Sequence, residues 1–212
     1  MKKIMMIAAL MVATVAAKAQ FEPGTFTLQP KVGMTLAEVS ADDTKFKAGI
    51  VAGFEGQYQI NNWFGLSVGL LYTQEGSKFK GNDNLKLNLE YLNVPVMAKF
   101  YPTKGLSLNI GLQPGFMTKA KAKASGDAQF KDASGHYVNE IDCKDLCNKF
   151  DLSVPMSIAY EFGGGLSIEA RYTSGLTNVL KNAFGKNAST REKTYDNKNE
   201  VLMLTLGYKF EL

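Results

Sequence analysis

Beyond residue 19 the chain contains no long apolar run. A helix needs about 20 consecutive apolar residues to cross a membrane, so a helical membrane protein is excluded. Nor is there an excess of positive charge. The formal charge is +4, but Lys2, Lys3 and Lys18 lie in an N-terminal leader, and without them it falls to +1. A nucleic-acid-binding role thereby loses its footing. No glycine-rich phosphate loop or paired-carboxylate motif occurs. There is one histidine, His136, so any Ser-His-Asp hydrolase or acyltransferase would have to use it, with Ser134 and Asp132 beside it. Those are three residues of one polar loop, and a solvated loop histidine is the simpler account.

The leader is informative. Lys2 and Lys3 precede an apolar run from Ile4 to Ala17, then Ala17-Lys18-Ala19 and Gln20. A basic start, a short apolar core and an A-x-A site make a secretory signal peptide, with cleavage expected after Ala19. No cysteine follows that site, which argues against a lipoprotein anchor. Residues 20–212 then form one domain.

Within that domain the apolar residues recur at every second position, the period of a β-strand. The clearest case is the end of the chain. Leu202, Leu204, Leu206, Tyr208, Phe210 and Leu212 fall on one face, with Met203, Thr205, Gly207, Lys209 and Glu211 on the other. About ten residues is the length that a tilted strand needs to span a bilayer. Seven more such segments are readable, starting at Phe26, Ala48, Phe64, Leu85, Leu106, Phe150 and Leu166. In the fourth, Leu85, Leu87 and Leu89 hold one phase, and Leu92, Val94, Val96, Ala98 and Phe100 hold the other. That flip predicts a β-bulge near Glu90-Tyr91.

The connections alternate in length. Those after the second, fourth and sixth segments are three or four residues long, whereas 37–46, 76–84, 118–149 and 174–200 read as longer loops. Short turns on one side and long loops on the other is the outer-membrane pattern, with the short turns in the periplasm. A soluble barrel of the lipocalin type would also show period two, with its apolar face turned inward. The alternating loops, the strand that ends the chain, and aromatics near strand ends (Phe64, Tyr72, Phe150, Tyr160, Phe162) favour the membrane. The expected fold is therefore all-β, an eight-stranded antiparallel up-and-down transmembrane β-barrel. Pro30, Pro95, Pro114 and Pro155 run against it, since each removes a ladder donor inside a proposed strand.

Four stretches carry a resemblance: Tyr91-Leu92-Asn93-Val94-Pro95-Val96, Gly111-Leu112-Gln113-Pro114-Gly115, Arg171-Tyr172-Thr173-Ser174-Gly175-Leu176-Thr177-Asn178 and the terminal Gly207-Tyr208-Lys209-Phe210. Through them the chain resembles the PorT-like family of eight-stranded outer-membrane β-barrels. The resemblance implies a fold and a bacterial outer-membrane location. Because the best-known member is linked to protein secretion, it also allows a role as an assembly or secretion factor.

The candidate interior holds Lys31, Glu55, Lys99, Asp151, Glu161, Glu169, Arg171, Lys209 and Glu211. Both signs occur, so a mutually neutralising network in a narrow lumen is expected rather than a single-sign selectivity ring. Cys143 and Cys147, as Cys-Lys-Asp-Leu-Cys, suit a local disulfide in an exported protein; a metal site with His136 or Asp142 has no strong spacing signature. Loop residues Lys119, Lys121, Lys123, Lys131, Lys181, Lys186, Arg191, Lys193 and Lys198 could pair with lipopolysaccharide phosphates or simply be solvated. The expectation is a monomeric, non-enzymatic structural or interaction barrel without cofactor or metal. Its partners would be outer-membrane lipids, lipopolysaccharide or an envelope protein.

Overall fold

The computed structural model describes residues 22–40, 44–79, 82–125, 129–131, 136–181 and 197–212; the predicted signal peptide lies outside them. Eight long strands follow one another: β1 (Phe26–Val39), β2 (Thr44–Gln59), β3 (Phe64–Phe79), β4 (Asn82–Asn93, resuming as Val96–Thr103), β5 (Leu106–Ala124), β6 (Phe150–Glu161), β7 (Leu166–Asn178) and β8 (Lys198–Tyr208, resuming as Phe210–Glu211). Each pairs antiparallel with its neighbours in the chain. β1 also pairs with β8, Val32 opposite Leu206, so the sheet closes into a barrel without an edge.

The alternation sorts the side chains. Val32 and Met34 are each 62% exposed, while Lys31 and Thr35 beside them are buried. Leu202, Leu204 and Leu206 face outward on β8, and Met203 and Thr205 face inward. An apolar exterior around a polar interior is stable in lipid and unfavourable in water, which decides between the two barrel readings. Aromatic rings gather where this belt ends beside the short turns. Phe64 packs on Phe100 at 5.3 Å, Tyr160 on Phe162 at 4.9 Å and Tyr208 on Phe210 at 4.8 Å. At the opposite rim Phe116 meets Phe150 at 5.7 Å.

The short turns have local causes. Asn61 Oδ1 accepts the Trp63 and Phe64 backbone N–H groups, at 2.8 and 2.9 Å, closing the β2–β3 turn. Gly105, Gly164 and Gly165 sit at φ +81°, +86° and +92°, where other residues are strained, in the β4–β5 and β6–β7 turns.

The four prolines are accommodated by losing rungs rather than register. The Pro95 carbonyl accepts the Gly69 N–H at 2.8 Å but no N–H is returned, and Val94 donates in the same one-way fashion to Pro114. Asn93 stands opposite Gly115 before the gap, and Val96 opposite Leu112 after it, so the alignment is unchanged. Past Pro155 the β6–β5 pairing goes from Ser153–Gln113 to Met156–Ile110, again in phase. Pro30 lies beside the break in β8 at Lys209.

At the long-loop end the structure corrects the sequence reading. Segments 37–46, 76–84, 118–149 and 174–200 are not wholly loop: β1 continues to Val39, β2 begins at Thr44, β3 and β4 reach Phe79 and Asn82, β5 extends to Ala124 and β7 to Asn178. The ladder outlasts the apolar pattern because, past the bilayer, outward positions become polar while hydrogen bonding goes on. The phase flip in β4 has the same origin. Leu87, Leu89, Tyr91 and Asn93 all point inward in one unbroken phase, so apolar residues change sides because the strand leaves the lipid. A bulge does occur at the predicted level, but on β5. Glu90 pairs with Lys119 and Tyr91 with Met117, leaving Thr118 as the extra residue.

Candidate functional site

The lumen is filled in layers. Nearest the short turns, Lys209 Nζ ion-pairs with Glu161 and donates to Gln57 Oε1 at 2.8 Å, while the Tyr101 hydroxyl donates to Glu161 at 3.1 Å. Gln57 Nε2 reaches both Tyr101 Oη (2.7 Å) and Gln59 Oε1 (2.8 Å).

Above this lies the central cluster. Lys31 bridges Glu55 (3.0 Å) and Glu169 (2.8 Å), and Arg171 bridges the same two carboxylates at 3.2 and 2.9 Å. Lys99 completes the set on Glu55. All five side chains are buried. Such a cluster is stable only when each charge is matched, and here every carboxylate touches at least two cations.

An apolar layer follows, made by Ala37, Val51, Leu71, Val201 and Met203. Then comes a third polar level: Glu75 accepts from Thr73 and, at 3.3 Å, from Asn93, and Asp151 accepts from Thr177 at 2.6 Å. A second apolar cluster, Val39, Leu87, Leu89, Tyr91, Met117, Ala120, Cys147 and Val179, closes the long-loop end.

Of the predicted interior residues, Lys31, Glu55, Lys99, Glu169 and Arg171 form one cluster, and Glu161 with Lys209 forms the layer beneath. Asp151 is inside but joins neither; its partner is Thr177. Glu211 is not interior. It pairs with Thr27 at the rim and is exposed, because the alternation ends with the barrel wall. Sequence reasoning missed Gln57, Tyr101, Glu75 and Tyr91. All four share a phase with recognised interior residues of their own strands or pairing partners, and that phase was the available signal.

Cys143 and Cys147 flank a single 3-10 turn, Lys144–Leu146, and stand as two thiols. Cys147 inserts into the apolar cap, and burial pushes its thiol pKa up to about 11. Cys143 packs beside it and is raised for the same reason. This part of the predicted loop therefore covers the barrel mouth. The Asn148 N–H bonds to the Val179 carbonyl at 2.8 Å and the Lys181 N–H to that of Leu146 at 2.9 Å.

His136 is exposed, and Ser134 and Asp132 lie outside the described residues. Among the described residues no three His, Cys, Asp or Glu side chains are grouped as a metal site would require. Lys119, Lys121 and Lys123 belong to β5 rather than to a loop. Glu140 holds Lys121 and Lys123 together, and the hydrogen bond from Lys121 keeps its carboxyl down at about 2. Lys186, Arg191 and Lys193 lie outside the described residues.

These features define an eight-stranded transmembrane barrel with a filled lumen. The chain belongs to the outer membrane protein beta-barrel domain family, whose model matches residues 18–181, and it is a protein of the bacterial outer membrane. Among solved structures it is similar in fold to Neisserial surface protein A, with 14% identity and a TM-score of 0.51 over 87% of this chain and 97% of that one. The Yersinia pestis attachment invasion locus protein Ail matches at 19% identity and a TM-score of 0.49, over 89% of this chain and 99% of that one. No curated protein matches the chain.

Proposed function

We propose that this barrel is a monomeric structural or interaction protein, neither a channel nor an enzyme, whose working surface is its long-loop end, turned to the cell exterior. The observation that carries this is the layered lumen. Two buried charge layers and two apolar layers occupy the interior of a barrel already narrow at eight strands. Short turns on the other side support the orientation. Ligands of the outer end would be lipopolysaccharide or a protein of the envelope or of another surface. Single-channel recording in planar bilayers tests the reading: no conductance steps are expected, and steps of defined size would overturn it. An unchanged lipid A profile between wild-type, His136→Ala and deletion strains would close the enzymatic alternative; a profile lost in both altered strains would open it.

A second reading is that of a PorT-like assembly or secretion factor. Its support is the resemblance carried by the Tyr91–Val96, Gly111–Gly115, Arg171–Asn178 and Gly207–Phe210 stretches. A mild-detergent pull-down from native outer membranes distinguishes the two. A stoichiometric secretion or envelope partner would favour the factor; recovery of the barrel with lipopolysaccharide alone would favour the surface role.

A further inference from the structure

The outer face of the wall formed by β2 to β5 changes character at one rung. Tyr72, Leu92 and Phe116 stand in register on that face and end its apolar belt. One rung further out stand Gln74, Glu90 and Lys119; then Gly76, Asn88 and Lys121; then Lys78, Lys86 and Lys123, with Lys45 opposite Lys78. Four lysines thus lie side by side across four strands.

Like charges directly opposite one another destabilise a sheet. Here three such pairs are adjacent: Lys45–Lys78, Lys78–Lys86 and Lys86–Lys123. Beneath the row is a hollow of about 240 Å³ lined by Lys47, Gln74, Asn88, Lys119, Lys121 and Lys123. Some of this charge is matched, Lys119 by Glu90 at 3.1 Å and Lys121 and Lys123 by Glu140. Asp142 stands opposite Lys121, and the same outer face also carries Lys78 and Lys86. The lysine row lies three rungs beyond the last side chains of the apolar belt, with Lys119 and Lys121 on the rungs between.

We propose that this wall is a binding site for the phosphates of lipopolysaccharide in the outer leaflet, with the acyl chains running down the apolar face below Tyr72, Leu92 and Phe116. Lysine ammonium groups recognise phosphate as point charges, and Gln74 and Asn88 add amide donors. The anionic sugar-phosphate layer supplies the charge that relieves the lysine row. The inference rests on the reading that the long-loop end faces outward, and gives that end a lateral ligand.

The test uses the full barrel in detergent micelles, titrated with bis-phosphorylated lipid A, with dephosphorylated lipid A and with inorganic phosphate. Wild type is compared with Lys78→Gln/Lys86→Gln/Lys119→Gln and with a control, Lys104→Gln/Lys149→Gln/Lys181→Gln, that removes the same charge elsewhere. Each lysine near an anionic surface is worth about fivefold in binding. The wall variant is expected to lose at least tenfold in affinity for phosphorylated lipid A, and the control less than twofold. Without lipid, the wall variant should unfold at equal or higher urea than wild type, because the repulsion is gone, and this checks that it folds. A Lys→Arg triple at the same sites should keep binding. Equal loss in wall variant and control, or wild-type binding indifferent to the lipid phosphates, overturns the proposal. Saturation by inorganic phosphate at equal affinity assigns the wall to soluble anions and overturns the lipid assignment. Cleavage of the long loops by protease added to intact cells separates this outcome from failure of the outward orientation.

Discussion

Glu55 and Arg171, 116 residues apart in the chain, meet across the lumen at 3.2 Å. Lys31 and Lys99 approach the same carboxylate from neighbouring walls. Removing that one acid leaves buried Lys99 without a carboxylate and makes Lys31 and Arg171 share Glu169 alone. Glu55→Ala should cost about 3–5 kcal/mol, the range for breaking a buried pair, read as a lower urea midpoint for barrel unfolding in lipid. Glu90→Ala, which breaks the half-exposed Lys119 pair, should stay within about 1 kcal/mol. Equal effects would show that the central cluster contributes no more than a surface pair.

The lipid face has its own test. Val32→Arg or Leu204→Arg places a charge on the exposed apolar belt, and should cost about 2–4 kcal/mol near the bilayer midplane. Both changes should also weaken the mobility difference between unheated and boiled samples on a gel. Val32→Leu should leave it intact.

How far the fold was legible follows from where its rules apply. Period two marks a strand's lipid face wherever one side meets hydrocarbon, so Leu202 to Phe210 and Val32 to Leu36 could be assigned at sight. Past the belt the same rule misleads. Leu87 and Leu89 are as apolar as Leu92 yet point inward, because outside the bilayer the water is on the other side. The charged cluster was legible as a set but not as a graph. That Lys31 serves two carboxylates, and that Asp151 serves neither lysine, depends on the stagger of strands, which composition does not encode.

Gly33 shows a constraint that no pattern announces. A Cβ added there would lie 2.0 Å from the Leu204 carbonyl oxygen, and one at Gly53 would lie 2.1 Å from that of Leu70. The strands approach this closely because the barrel is tightly curved. Gly33→Ala should therefore lower the folded fraction recovered after refolding, and Gly33→Val should abolish it. Gly24→Ala, where a Cβ meets nothing within 4 Å but φ is +90°, should cost only about 1 kcal/mol.

The thiols give a pH-dependent readout. Burial raises Cys147 to about 11, so in the folded barrel its thiolate fraction, and with it maleimide labelling, should be very low at pH 7 and rise about tenfold per pH unit towards 11. Labelling of Cys143 should be faster because it is only partly buried. Unfolding should release both at equal rates. A mass 2 Da below the reduced value, with no reactive thiol after unfolding, would instead establish the Cys143–Cys147 bond that export favours.

The prolines matter before the barrel exists. A chain of amphipathic β segments that has not yet closed is close to the composition that stacks into cross-β fibrils, whose growth needs every backbone N–H of an incoming strand. Pro30, Pro95, Pro114 and Pro155 each deny one such donor, in β1, β4, β5 and β6. In the closed barrel the loss is a single unreturned hydrogen bond with the alignment kept, as at Pro95. In an intermolecular stack the same gap would recur in every layer. Four such interruptions would therefore hinder stacking of the unclosed chain at little cost to the finished wall.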